Sequence, residues 1–154
     1  MKTILIPIDL SRESVRVCNA ACELARSVGA RAVLLHVDQP VPIVMSDVQA
    51  LDVDVRRAAE ISIAAEKGAR TRLQKLVGHC AKRKVKATAV QRIGAPVTAI
   101  LAQAKASRAG YIVMGSHGHG AVYELLAGST THGVLKKAAC PVLIVPSLRA
   151  RAKK

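Results

Sequence analysis

The sequence predicts a single-domain α/β protein with a doubly wound, mostly parallel sheet of five strands. Short apolar segments alternate along the chain with segments of helical periodicity, the order expected for parallel strands joined by helical crossovers. The 154 residues, of which 51% are hydrophobic, suffice for one domain with a substantial core. Because the chain has no Phe or Trp, this core must be aliphatic, which suits buried parallel strands under Ala-rich helices.

The first strand and helix begin close to the N-terminus. The apolar run from Thr3 to Ile8 predicts a strand that ends at Asp9. Ser11 can cap the helix that follows, and Gly29 is expected to end it. The predicted buried face of this helix consists of Val15, Cys18, Cys22 and Ala25, which recur at helical spacing.

The second unit combines a strand with an unusually long helix. Residues 31–37 predict strand two, and a loop with two prolines follows it. Ser46 or Asp47 can then cap a helix, rich in Ala, Arg and Lys, that runs towards Lys82.

The last three strands are separated by two shorter helices. Residues 85–91 predict strand three, and Pro96 is well placed in the first turn of the next helix. Residues 111–114 predict strand four, and residues 141–146 contain strand five. Proline at both ends of this last segment favours a position at the edge of the sheet.

Two glycine-containing segments carry the strongest functional signal. Residues 114–120 (MGSHGHG) follow strand four, and residues 128–131 (GSTT) precede a helix expected to begin at Thr130 or Thr131. Glycine lets backbone N–H groups approach an anion closely, and the start of a helix favours negative charge. The two segments therefore predict a binding site for a phosphorylated ligand.

Two familiar phosphate motifs are excluded. Gly115 and Gly120 have the glycine spacing of a Walker A loop, but Ala121 and Val122 occupy the positions of its Lys and its Ser or Thr. The dinucleotide fingerprint would need glycine where the chain has Tyr123. The chain is therefore not a P-loop NTPase, and nicotinamide or flavin binding of the usual Rossmann kind loses support.

The formal net charge of +14 is high for this length. Basic residues concentrate at residues 82–84 and 149–154, and we interpret them as solvated helix faces and a disordered basic tail at 148–154 that follows a domain of residues 1–147. Non-specific nucleic-acid contact is the alternative, although aromatic residues that stack on bases are almost absent. The sequence has no apolar run of membrane-spanning length and no signal peptide, so we expect a cytoplasmic protein that does not bind membranes.

The cysteines and histidines have structural interpretations. The four cysteines include no Cys-x-x-Cys pair, so we interpret them as small buried residues in a reducing compartment and predict no metal site. His117 and His119 suit solvent-facing loop positions as well as phosphate contacts. His36 suits a core or crevice position.

Three segments resemble the ATP-binding branch of the universal stress protein family. They are the pattern Gly115-x2-Gly118-x9-Gly128-Ser129, the opening ILIPID at 4–9 with Ser11 after it, and the closing CPVLIVP at 140–146. The resemblance implies a Rossmann-like sheet of order 3-2-1-4-5 with helices on both faces. It also implies a homodimer formed through the last strand, Val142 to Val145, and ATP as ligand, with Mg²⁺ as a companion ion.

The resemblance also implies a set of nucleotide-binding residues. Asp9 and the backbone of Pro7 and Ile8 would contact the ribose and adenine side, and the Val37 backbone would contact the adenine edge. The ribose and phosphate path would be lined by Met114, Gly115, His117 and Gly118. The phosphates would be held by Gly128, Ser129, Thr130 and Thr131. Asp9 also has a structural alternative, as a cap for the loop or helix after strand one, and it could hold Mg²⁺.

Catalysis has little support in the sequence. No base for activating water and no group for neutralising a γ-phosphate is identifiable, so ATP hydrolysis is expected to be slow at most. The chain departs from the usual family pattern at Thr130 and at Gly133, where glycine is expected to weaken the last helix. Three functions remain open: an ATP-binding regulatory protein in the stress response, a slow ATPase, and a basic nucleic-acid-associated protein.

Overall fold

The computed structural model describes residues 2–39, 51–116 and 129–147, without the side chains of residues 51–55 and 58. Within these ranges the chain alternates between strands and helices. The strands are β1 (Thr3–Pro7), β2 (Arg31–Asp38), β3 (Ala87–Ile93), β4 (Ala109–Gly115) and β5 (Val142–Val145). The helices are α1 (Ser14–Val28), α2 (Leu51–Lys82), α3 (Pro96–Ala106) and α4 (Ser129–Lys137). None of the described helices has the length and hydrophobicity needed to cross a membrane.

All five strands are parallel and form one sheet of order β3-β2-β1-β4-β5. This confirms the predicted fold class and strand order. The order reverses at β1, where Thr3 lies opposite Arg31 of β2 on one side and opposite Ala109 of β4 on the other. Strand β5 occupies an edge of the sheet, as its flanking prolines predict. All strands end on the same side, which we call the carboxyl end of the sheet, and begin at the amino end.

The helices cover both faces of the sheet because neighbouring strand residues point to opposite sides. Ile4 and Ile6 belong to a core that includes Leu73 of α2. Leu5, which lies between them in sequence, belongs to a second core that includes Val134 of α4. The pair α1 and α2 therefore covers one face, and α3 and α4 cover the other.

Helix α1 begins later than the sequence indicates. The prediction that Ser11 caps it is wrong, because the residue before the first helical turn is Glu13, and its side chain makes no capping bond. Ser11 instead accepts the Glu13 N–H at 3.3 Å in the turn ahead of the helix. Val15 is 44% exposed, so it does not belong to the buried face. That face consists of Ser14, Val17, Cys18, Ala21, Cys22 and Ala25, a stripe centred on Cys18 and Ala21.

Helix ends and strand ends follow from local bonds and from strand pairing. Gly29 ends α1 in the left-handed conformation with φ of 63°, and α3 starts at Pro96, both as predicted. Val85 follows the turn after α2, and its N–H donates to the Cys80 carbonyl at 3.1 Å, so β3 begins later than predicted. It also extends to Ile93 because its ladder with β2 continues that far.

The remaining boundaries differ in smaller ways. Strand β4 is longer than predicted at both ends, and α4 begins at Ser129, one residue before the first predicted start. Helix α2 is continuous to Lys82. The predicted caps of α2 at residues 46–47 and the basic tail at 148–154 lie outside the described residues.

Candidate functional site

The ends of β1 and β4 lie next to each other at the carboxyl end of the sheet. These two strands are neighbours, with Ile4 opposite Tyr111 and Leu5 opposite Ile112, and the strand order reverses at β1, between β2 and β4. In open parallel sheets, ligands bind in the crevice outside the carboxyl ends of the strands at such a reversal. The fold therefore places its candidate site at the ends of these two strands.

The loop after β1 is held by Asp9. Its Oδ1 accepts the Ser11 N–H at 3.0 Å and the Ser14 hydroxyl at 3.2 Å, so the carboxylate joins the end of β1 to the first turn of α1. Leu10, between them, has φ of 60°, a conformation that side-chain-bearing residues adopt at a cost and that concentrates at functional sites. Through Oδ1, Asp9 therefore caps the loop after β1, which is the structural role that the sequence left open for it.

The end of β1 is also bonded to β2 through Ile8. Its N–H donates to the Leu35 carbonyl at 2.7 Å, and its carbonyl lies 2.8 Å from Nδ1 of His36. Because a carbonyl only accepts, this contact requires the hydrogen on Nδ1. His36 thus lies at the crevice, as predicted, and both polar backbone groups of Ile8 already have partners within the protein.

A second polar group lies beside this contact at the end of β2. Nε2 of His36 is 3.2 Å from Oδ1 of Asp38, and Oδ2 of Asp38 accepts the Gln91 side-chain amide at 2.6 Å. The Asp38 carbonyl accepts the Gly94 N–H at 2.9 Å, which ties the β3–α3 turn to β2. Asp38 and Gln91 were missed by the sequence analysis. The available signal was that Asp38 ends an apolar strand, much as Asp9 follows one.

The first turn of α4 is attached to the end of β4 by Thr131. This residue is 3% exposed, and its hydroxyl donates to the Gly115 carbonyl at 3.1 Å. Ser129 is exposed and Thr130 half-buried in the same turn. The first N–H groups of a helix have no partner within it and attract anions, so this contact brings an anion-attracting helix start to the end of β4.

Most of the predicted nucleotide-binding residues share this end of the sheet. The structure brings together Pro7, Ile8, Asp9, Val37, Met114, Gly115, Ser129, Thr130 and Thr131. The Met114 side chain is buried in the core under α3 and α4, so this residue can line the crevice only through its backbone. His117, Gly118 and Gly128 lie outside the described residues.

The cysteines belong to the core instead of this site. Cys18, Cys22 and Cys80 are buried where α1 meets α2, which confirms their interpretation as small core residues, whereas Cys140 is half-buried. Burial and a hydrogen bond with Cys80 raise the pKa of Cys22 to about 12. The pKa of Cys80 is raised by a hydrogen bond with Cys18 and by burial, and that of Cys140 by burial. The thiols of Cys22, Cys80 and Cys140 therefore lack the thiolate character of reactive cysteines.

Among the described residues, no group of three His, Cys, Asp or Glu side chains is arranged to hold a metal ion. The carboxylates that follow β1 and end β2, Asp9 and Asp38, are both engaged by the protein contacts given above. Among the described groups, a ligand at this end would meet the backbone N–H groups and hydroxyls at the start of α4.

Comparison with known proteins gives consistent matches over nearly the whole chain. The model of the universal stress protein family matches residues 1–146. A universal stress protein of Thermus aquaticus is 34% identical over 147 residues, which cover 94% of this chain and 98% of the relative.

Two solved structures share the fold. A universal stress protein in complex with cAMP aligns with a TM-score of 0.69 at 19% identity, covering 94% of this chain and 96% of that one. The universal stress protein of Archaeoglobus fulgidus in complex with dAMP aligns with a TM-score of 0.62 at 22% identity, covering 94% and 97%.

Proposed function

This chain belongs to the universal stress protein family, and we propose that it is a regulatory protein of the stress response that binds an adenine nucleotide, with ATP as the ligand. The observation that carries the proposal is the contact between the Thr131 hydroxyl and the Gly115 carbonyl. It holds the start of a helix against the end of β4, at the reversal of strand order where ligands of such sheets bind.

Two relatives of the same fold support the ligand class. One was solved with cAMP and the other with dAMP, which share an adenine base, a sugar and a phosphate group. A helix start beside a crevice suits the phosphate that both ligands carry. We extend the class to ATP because the predicted glycine segments at 114–120 and 128–131 offer backbone donors for several phosphates.

The phosphate contacts are assigned to the start of α4 and the loop before it. Ser129 and Thr130 would donate through their N–H groups and hydroxyls. The Thr131 hydroxyl is already bonded to Gly115, so we assign its backbone N–H to the ligand and its side chain to positioning the helix. The sequence pattern adds Gly128, Gly118 and His117 to the phosphate path. A Mg²⁺ ion would be held mainly by the ATP phosphates. The carboxylate of Asp9 is the protein group that would serve as its ligand.

The ribose and adenine contacts are assigned to β1 and β2. Asp9 would accept hydrogen bonds from the ribose hydroxyls. Pro7 and Ile8 would offer mainly apolar surface, because both polar backbone groups of Ile8 bond to β2. The Val37 backbone would contact the adenine edge, and the backbone of Met114 and Gly115 would line the path from ribose to phosphate. The buried free thiols suit a reducing compartment, and we place the protein in the cytoplasm.

The test begins with protein purified without added ligand. Denaturing it and separating the supernatant by anion exchange should release ATP, and calorimetry on nucleotide-free protein should show ATP binding. Release of ADP, with slow ADP formation on incubation, would identify a slow ATPase of the same site. Protein that carries no nucleotide and binds none of ATP, ADP or cAMP would overturn the proposal.

We also propose that the chain forms a homodimer through β5. This strand lies at the edge of the sheet, where one row of backbone N–H and C=O groups faces away from β4, and Leu143 is 43% exposed. Leu143→Lys should convert a dimer into a monomer in sedimentation velocity. Ile93→Lys serves as the control, because Ile93 is an even more exposed apolar residue, at 71%, on the opposite edge strand. A wild-type monomer, or a dimer that survives Leu143→Lys, would contradict this interface.

A further inference from the structure

A row of cations crosses the amino end of the sheet, opposite the nucleotide site. Lys86 directly precedes β3, Arg31 begins β2, Lys2 precedes β1 and Arg108 precedes β4, and all four are exposed. Backbone bonds place them side by side, because the Arg31 N–H donates to the Lys2 carbonyl at 3.0 Å and the Ala32 N–H to the Lys86 carbonyl at 2.8 Å. With neighbouring strands about 4.8 Å apart, the row is about 14 Å long.

The helices add further cations to the same end, because each of them ends there. These are Arg26 of α1, Lys82 of α2, Lys105 of α3, and Lys136 and Lys137 of α4, all exposed. Cations in the last turn of a helix stabilise its dipole, which accounts for them without any ligand. That explanation does not extend to the row at the strand starts, whose residues lie outside the helices.

These cations have no carboxylate partners in the part of the chain that the structure describes. The ion pair of Glu13 with Arg16 and the contact of Asp38 with His36 both lie away from the amino end. Arg31 bonds through Nε to the neutral Thr3 hydroxyl at 3.1 Å. Within the described residues, the positive charge at this end is therefore not neutralised by ion pairs.

Two exposed cations at this end, Arg108 of the row and Lys84 in the turn before β3, occupy positions where glycine would suit the backbone better. Lys84 has φ of 61° in the turn from α2 to β3, and Arg108 has φ of 48° in the turn from α3 to β4. The corresponding turn from α1 to β2 contains Gly29, with φ of 63°. Left-handed backbone is unfavourable for residues with a Cβ, so stability alone would favour glycine in all three turns. Side chains kept in such a conformation point to a function.

A shallow cavity of about 310 Å³ lies beside the row. Its charged lining consists of Arg26, Lys84 and Lys86, and Gly29 contributes to its wall. The cavity joins the end of α1 to the turn before β3, so one of the strained cations and one of the row face the same space. A phosphate group seated there would meet three cations.

We propose that the amino end of the sheet binds the phosphate backbone of double-stranded nucleic acid without sequence preference. Each strand of a duplex advances about 3.4 Å along the axis per phosphate, so the row of about 14 Å spans about four phosphates. The chain has no Phe or Trp to stack on unpaired bases, which favours a duplex over a single strand. Of the exposed large apolar residues that the structure describes, Leu135 is the one near this end, so there is no apolar cluster to enter a lipid surface.

The proposal concerns a different end of the sheet from the nucleotide site and does not depend on it. Protein that binds no ATP would leave it unaffected, and loss of duplex binding would leave the nucleotide site unaffected.

The test uses the full chain and a short fluorescent DNA duplex of mixed sequence, with anisotropy measured over a range of salt concentrations. The key variant is Lys84→Gly with Arg108→Gly, which removes two cations and relieves the left-handed backbone at both positions. Its melting temperature should equal or exceed that of the parent. Its duplex affinity should fall by about tenfold, and the slope of log K against log salt should shrink by about two.

The matched control is Arg56→Gln with Arg57→Gln, which removes the same charge from exposed positions on α2. These residues lie about 38 Å along the helix from Lys82 and the amino end. The control should lose less than about twofold in affinity, because it changes only the overall charge.

Three results would overturn the proposal. One is equal weakening by the two double variants, which would mean that net charge alone attracts the duplex. A second is no detectable duplex binding by the parent at low salt. The third is tighter binding to phosphatidylserine vesicles or to a single strand of equal length than to the duplex.

Discussion

The two ends of the sheet use polar side chains in opposite ways. At the carboxyl end, side chains bond to nearby backbone, as Asp9 does to the Ser11 N–H, His36 to the Ile8 carbonyl and Thr131 to the Gly115 carbonyl. At the amino end, Lys and Arg side chains project into solvent, and those in the described ranges form no ion pair with a carboxylate.

The difference shows how one fold can offer two kinds of binding. Side chains that hold strand ends and helix starts in place leave backbone donors at fixed positions, which favours a ligand of defined shape. Exposed cations on long side chains attract negative charge over a distance but fix little geometry, and salt screens them. We therefore expect selective, salt-tolerant binding at the carboxyl end and non-selective, salt-sensitive binding at the amino end.

The largest expected effect separates the two ends outright. Gly128→Val should abolish ATP binding, because a branched side chain would occupy the space where phosphate approaches the backbone. Duplex binding by the same protein should be unchanged, since the amino end is untouched. Calorimetry and anisotropy on one folded preparation measure both. ATP affinity equal to that of the parent would mean that the glycine segment has only a structural role.

A smaller effect tests how the carboxyl end is held together. Thr131→Val keeps the shape of the side chain but removes the donor to the Gly115 carbonyl, which should lower the free energy of unfolding by about 1–3 kcal/mol. ATP affinity should fall as well, because the start of α4 loses its attachment to β4. Thr88→Val makes the same chemical change at an exposed position on β3 and should have little effect on either quantity. Chemical denaturation and calorimetry provide the two measurements, and equal unfolding free energies for both variants would contradict the assigned role of Thr131.

Gly133 tests whether close helix packing supports the same attachment. A Cβ built there would lie 2.7 Å from Cγ2 of Val97, so Gly133→Ala should push α4 away from α3. We expect a net loss of about 1 kcal/mol, the steric cost being partly offset by the better helix propensity of Ala. Adding Val97→Ala should restore part of the loss in the double variant. Gly78→Ala in α2, where nothing lies within 4 Å, should instead stabilise the protein. Thermal unfolding of the four proteins checks this, and stabilisation by Gly133→Ala alone would refute it.

The smallest effect concerns the basic C-terminal segment. Deleting residues 149–154 should change ATP affinity by less than about tenfold, or 1.4 kcal/mol, because the assigned contacts lie on β1, β2, β4 and α4. Calorimetry on the shortened chain checks this. A greater loss would mean that the segment reaches the phosphates.

Much of the fold could be predicted from the sequence because its signals are local. The alternation of apolar segments with helical periodicity predicted every strand and helix in order, and Gly29 and Pro96 marked a helix end and a helix start through their own backbone preferences. Val15 was misassigned because it has the right spacing for the buried face, while the angular centre of that face depends on how α1 rests on the sheet. The glycine segments indicated phosphate for a local reason too, since access to the backbone is a property of glycine itself.

Tertiary structure decided which of these local features meet. Thr131 and Gly115 are 16 positions apart in the sequence, and His36 and Ile8 are 28 apart. Neither hydrogen bond could therefore be predicted from local sequence. Gly133 was expected to weaken its helix, whereas packing shows that the missing Cβ makes room for Val97.

The cation row at the amino end is also a product of tertiary structure. Lys2, Arg31, Lys86 and Arg108 are far apart in sequence and become neighbours because parallel crossovers return every strand start to one end of the sheet. The sequence by itself determined the elements and the chemistry that each could offer. The packing of the crossovers decided which groups stand together, because side-by-side placement in a parallel sheet depends on contacts between distant segments.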